Sequence, residues 1–176
     1  TPTPTPVVAV ATPSASPIEA GNFHFTFKCD STCTPDEVKT VAATQELIER
    51  FINSKCFDQA WLSFSRLEQA NGLNNQGVVE KIRSSSVKNI PIIFYWPTLF
   101  QSKGVIGYTY DGSPEIYLNR SFRTSSKWTT WSEASNLFHE ALHKVGFDHD
   151  SKDTERRPFS IPYRGNRAVE YCEGKI

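Results

Sequence analysis

Three of the four histidines of this 176-residue chain lie within eleven residues: His139-Glu140-Ala141-Leu142-His143-Lys144-Val145-Gly146-Phe147-Asp148-His149. His139 and His143 are four apart, so on a helix they stand one turn apart on one face and reach the same ion. Neutral imidazole nitrogens bind Zn²⁺ at about 2.0–2.1 Å, which this spacing meets without distortion. Gly146 can take a positive φ, ending the helix and turning the chain back so that His149 offers a third nitrogen. Three protein ligands leave one position open for water, the catalytic rather than the structural pattern of zinc, so one catalytic Zn²⁺ is expected. Glu140 sits beside the helical pair without being a ligand. A carboxylate there can take a proton from zinc-bound water and pass it to a leaving amine.

The helix that must carry these residues has an apolar stripe of Trp131, Ala134, Phe138, Ala141, Leu142 and Val145. At about 100° per residue, His139 and His143 fall roughly 100–140° from the centre of that stripe, which keeps them off the packed face. Thr130 with Glu133 predicts its capped start, and Gly146 its end. Upstream, Asn22–Lys28 alternates three Phe with polar residues and predicts a strand. Thr34-Pro35-Asp36-Glu37 predicts the capped start of a long helix to about Ser54, with Val38, Val41, Ile48, Phe51 and Ile52 on one face. Weaker helices are expected over 57–70 and 78–84. Strands are expected over 90–96, 104–110 and 115–119, and a short helix over 166–173. Elements mixed in this order predict a small α/β (α+β) fold: a twisted mixed sheet, a long backing helix, an active-site helix and a short C-terminal helix.

The run H-E-x-x-H-x-x-G-x-x-H resembles the signature of the metzincin clan of zinc metalloendopeptidases. Trp128 and Asn136-Leu137-Phe138 resemble the lead into the active-site helix of matrix metalloproteinases, and the strands at 105–110 and 115–119 resemble the two before it. That resemblance implies a zinc-dependent endopeptidase acting on protein or peptide substrates, with Glu140 as base. It also implies that Val105, Ile106, Gly107 and Tyr108 belong to the edge strand that pairs with extended substrate. The clan places a Met-containing turn under the metal, and this chain has no Met. Ile161, within Phe159-Ser160-Ile161-Pro162-Tyr163, stands at the expected distance. Tyr163 matches the place where astacin-like and serralysin-like members carry a Tyr near the metal, a candidate for oxyanion stabilisation. Asp148 and Asp150 are candidates to accept a ring N–H or to hold the loop.

Two other classes share features of the motif. Bacterial rRNA-maturation endoribonucleases resemble it at Leu142, Gly146, Phe147, Asp148 and His149, but usually carry Gly where Glu140 stands. A zinc-containing binding protein without catalysis would not need Glu140. Composition weighs against nucleic acid: 19 Lys+Arg balance 19 Asp+Glu, leaving no net charge to draw phosphate. No apolar run reaches the 18 residues a spanning helix needs. Five of the eleven Pro fall in residues 1–20, beginning Thr1-Pro2-Thr3-Pro4-Thr5-Pro6. Residues 1–21 therefore read as a flexible Thr/Pro-rich tether and 22–176 as the catalytic domain, a monomer. Four Cys predict two disulfides, Cys29–Cys33 and Cys56–Cys172, and with the tether an exported protein, extracellular, periplasmic or surface-tethered. Asn119-Arg120-Ser121 is a glycosylation sequon.

Overall fold

The computed structural model describes residues 24–98, 104–110 and 112–176. The tether expected at 1–21 lies outside them. In chain order the elements are β1 (His24–Cys29), α1 (Pro35–Ile52), α2 (Lys55–Ser63), α3 (Asn75–Ser84) and β2 (Ser86–Tyr95). They continue with β3 (Gly107–Tyr108), β4 (Ile116–Asn119), α4 (Arg120–Arg123), α5 (Thr130–Lys144) and α6 (Ile161–Cys172). The fold is the expected mixed α/β type. Its sheet runs in the order β1-β2-β4-β3, with β2 parallel to both neighbours and β3 antiparallel to β4 at the edge.

One face of the sheet makes the core. Phe25, Ile92, Phe94, Ile116 and Leu118 are buried, with Ile92 opposite Ile116 and Phe94 opposite Leu118. Against them pack Leu47, Ile48 and Phe51 of α1 and Ala134, Leu137, Phe138 and Ala141 of α5. Phe51 meets Phe138 edge to face at 5.4 Å and joins the two helices. The capping box at the start of α1 forms as expected, Thr34 with Glu37. Val38, however, is 48% exposed, and Thr44 and Leu47 complete the buried face instead. Positions 41, 44, 48 and 51 continue the three-and-four spacing that a packed stripe needs.

Several boundaries move for identifiable reasons. The cap of α5 is Thr129 with Ser132, one residue before the expected Thr130 and Glu133. Glu133 is fully buried and takes Arg123 Nη2 at 2.5 Å and Trp128 Nε1 at 2.8 Å. β3 is only two residues long, and beyond the main-chain bond from Asn119 N to Ile106 O at 2.9 Å side chains take over from the ladder. Asn119 Nδ2 donates to Val105 O at 2.9 Å, and Thr109 Oγ1 donates to Glu115 O at 2.7 Å. α2 stops at Ser63, while α6 begins at Ile161 rather than near 166. Pro162 sits in its first turn, where a missing N–H costs nothing, so Ile161, at the place expected for the Met-containing turn, opens a helix.

Cys56 and Cys172 form a disulfide linking α2 to the end of α6. The expected Cys29–Cys33 bond is absent, and both are free thiols. Burial pushes both thiols up, and the carboxylates of Asp30 and Glu37 add to it. This disfavours the thiolate that any oxidation must pass through. The sequon is closed as well. Asn119 is buried, its Nδ2 is engaged, and its Oδ1 accepts from Ser121 N at 2.9 Å and Ser121 Oγ at 2.7 Å.

Candidate metal centre and its cleft

α5 carries His139 and His143 on consecutive turns, and Val145 closes the helix with its N–H on Ala141 O. Gly146 then takes φ +90°, a value L side chains rarely adopt, and the chain returns to place His149 beside the other two. One ligand atom from each histidine lies within 4.8 Å of the others, so the three could hold a metal ion.

The outer nitrogens decide which atoms face inward. His139 Nδ1 meets Asn166 Oδ1 at 2.7 Å, His143 Nδ1 meets Phe147 O at 3.0 Å, and His149 Nδ1 meets Asp150 O at 3.0 Å. All three partners are acceptors, so each Nδ1 carries the hydrogen and each Nε2 keeps its lone pair. For His139 the acceptor is fixed by a further pair of bonds. Asn166 Nδ2 donates to Ser135 O at 2.9 Å and Ser135 Oγ at 2.8 Å, which orients Oδ1 toward the ring. His139 Nε2 and His149 Nε2 stand 3.3 Å apart. Two lone pairs at that distance repel unless a cation lies between them, and two ligands of a tetrahedral zinc stand about 3.3–3.4 Å apart. The donor set therefore fits zinc.

The electrostatics agree with a neutral His139. Burial, aided by the two neighbouring imidazoles and opposed by Asn166, lowers His139 to about 3. Glu140 is buried in the same wall, and that burial raises its carboxyl to about 8, with Lys144 pulling only weakly the other way. A divalent cation at the Nε2 atoms would favour the ionised form of Glu140 and restore it as a base. Asp148 Oδ1 accepts the His149 N–H at 2.7 Å and stands 3.5 Å from His143 Nδ1. Asp150 takes Gln69 Nε2 and Arg156 Nη2 and so holds the loop. Ile161 is fully buried at the head of α6.

A cleft of about 1270 Å³ runs over this centre. Its walls include His139, Glu140, His143, His149 and Tyr163, and also Val105, Ile106, Gly107 and Tyr108 from the β3 side. The ring of Tyr163 packs 4.9 Å from that of His139 and 5.0 Å from that of His149. Gly107 permits the close approach of β3 to α5, since a Cβ there would fall 2.8 Å from Asn136 Nδ2. The three histidines, Glu140, Asp148, Tyr163 and Val105–Tyr108 thus line one cavity, whereas Asp150 and Ile161 are not among its lining residues.

Asn166, Ser135 and Lys144 also belong to the site, and pattern reading passes over them. Asn166 lies three residues after Tyr163 and Ser135 four before His139, spacings that share a helix face. Nothing in sequence, however, says that those two faces meet. Lys144 donates to Thr109 Oγ1 and Ser113 O, fastening the end of α5 to the segment after β3. No family model, no curated protein and no solved structure matches this chain.

Proposed function

We propose that the protein is a zinc-dependent endopeptidase of metzincin type, exported and acting on extended protein or peptide substrates. The observation that carries this reading is the convergence of three Nε2 lone pairs beside a buried, non-ligating Glu140 at the floor of an open cleft. Zinc held by His139, His143 and His149 supplies Lewis acidity, which lowers the pKa of a water and polarises a carbonyl. Asn166, Phe147 O and Asp150 O keep the three rings in the tautomer and orientation that a ligand needs. Glu140 takes a proton on its carboxylate and returns it to the departing amine. Tyr163, packed on two of the ligand rings, offers a phenol O–H to a developing oxyanion. The antiparallel edge strand β3, with Val105 and Ile106 before it, offers main-chain hydrogen bonds to an extended peptide. A disulfide between α2 and α6 fits an oxidising compartment, and among the described residues no helix is long and apolar enough to cross a membrane.

The test is cleavage of an unfolded protein by the zinc-loaded chain and by Glu140→Ala, with zinc content measured in both. The parent is expected to cut, and the variant to lose about 10²- to 10⁴-fold in rate while keeping its metal. Zinc retention without cleavage by either protein would overturn the reading, and RNA cleavage would then be assayed on the same pair.

A further inference from the structure

Among the described residues, three cations line the cleft outside the histidines: Lys144, Arg157 and Arg167. Two of them are occupied. Lys144 is held by Thr109 and Ser113, and Arg167 Nη1 pairs with Glu170 at 2.9 Å. Arg157 differs. No carboxylate among the described residues pairs with it, and the nearby Asp150 is taken by Arg156 at 3.0 Å. Its Nε is buried with no acceptor, so this is not a freely hydrated surface side chain. The guanidinium lies over the ring of Tyr163, 5.1 Å from its centroid, and that ring packs against His139 and His149. Arg157 lines the cleft, and with Nε buried it is the terminal Nη N–H groups that can donate to a carboxylate there. Its main chain is held in a short 3-10 helix, Arg157–Phe159, closed by Phe159 N on Arg156 O and Ser160 N on Arg157 O.

We infer that Arg157 is a carboxylate-binding subsite of the cleft, selecting substrates with an acidic side chain or a free C-terminal carboxylate close to the scissile bond. One aromatic ring separates the guanidinium from the ligand histidines. The guanidinium lies 5.1 Å from the Tyr163 centroid and that ring 4.9 Å from His139, so at about 3.3–3.6 Å per extended residue the recognised carboxylate falls within about three residues of the bond that is cut. The inference deepens the endopeptidase reading and rests on it for the ligand being a peptide. The carboxylate chemistry rests on Arg157 alone.

The test measures binding, so that it does not depend on turnover. Zinc-loaded Glu140→Gln protein is titrated with three fluorescein-labelled pools of random octapeptides, followed by anisotropy at low salt. One pool carries a central Glu and an amidated end, one a central Gln and an amidated end, and one a central Gln and a free carboxylate. The Glu pool, the free-carboxylate pool or both are expected to bind about tenfold more tightly than the neutral pool. The arm that gains identifies the source of the carboxylate. Adding Arg157→Gln should bring the pools level, while Arg157→Lys should keep part of the difference, with thermal unfolding confirming that both variants fold. Equal binding of all three pools, or a preference that survives Arg157→Gln, would overturn the assignment. If the pools are discriminated through Arg157 but the protein with Glu140 intact cuts none of them, the endopeptidase reading fails and the subsite stands.

Discussion

At the scale of single residues, the centre depends on groups that never touch an ion. Asn166 fixes the tautomer of His139 and is itself fixed by Ser135, so its removal takes from a buried ring N–H the acceptor 2.7 Å away. Asn166→Ala is therefore expected to lower zinc affinity about 10- to 100-fold, measured by competition with a chromophoric chelator. Asn166→Asp should retain most of the affinity, because a carboxylate oxygen still accepts from Nδ1. Tyr163→Phe separates a role in packing from one in catalysis. The ring contacts with His139 and His149 persist, so zinc affinity should hold while kcat falls by about 10-fold or more.

Between elements, α5 and α6 approach closely at a glycine. A Cβ on Gly165 would fall 2.5 Å from Leu142 Cδ1, and Phe138 closes the other side. Gly165→Ala forces these helices apart and should cost about 1–3 kcal/mol, read as a lower denaturant midpoint, with some loss of zinc affinity as Asn166 withdraws. A second junction ties the start of α1 to α4, where Arg120 Nε donates to Glu37 Oε1 at 2.7 Å. Burial alone would raise the Glu37 carboxyl, but hydrogen bonds from Arg120 and from Thr34 N outweigh it and hold the group below its ordinary value. A depressed folded pKa gives stability that is present above the unfolded value of about 4.3 and lost as pH falls through the folded one. The stability difference between the parent and Glu37→Gln should therefore be full at pH 7 and shrink steadily below about pH 4 in urea titrations. Both junctions show where sequence reading stopped. The capping box at Thr34 was legible because it is local, whereas the partner of Glu37 lies 83 residues away.

For the molecule as a whole, one covalent bond joins the first half of the chain to its last helix. Cys56 and Cys172 are 116 residues apart, and closing a loop of that length removes unfolded-state entropy worth about 4–5 kcal/mol. The Cys56→Ser, Cys172→Ser pair should show a large drop in thermal midpoint. Because α6 carries both Tyr163 and Asn166, weaker zinc retention should accompany it. The sequence by itself determined which residues could hold a metal ion, because His139, His143 and His149, with Gly146 between them, are set by helical pitch and a single left-handed turn, both local properties of the backbone. It also determined the class of fold, since strand and helix periodicities need no knowledge of what packs on what. Tertiary structure decided the rest. It placed Asn166 against His139 and Arg157 over Tyr163, left Cys29 and Cys33 as free thiols, turned Glu133 from a cap into a buried partner of Arg123, and withdrew Asn119 from solvent. Each of these outcomes depends on groups distant in sequence or on burial, and no local pattern encodes either.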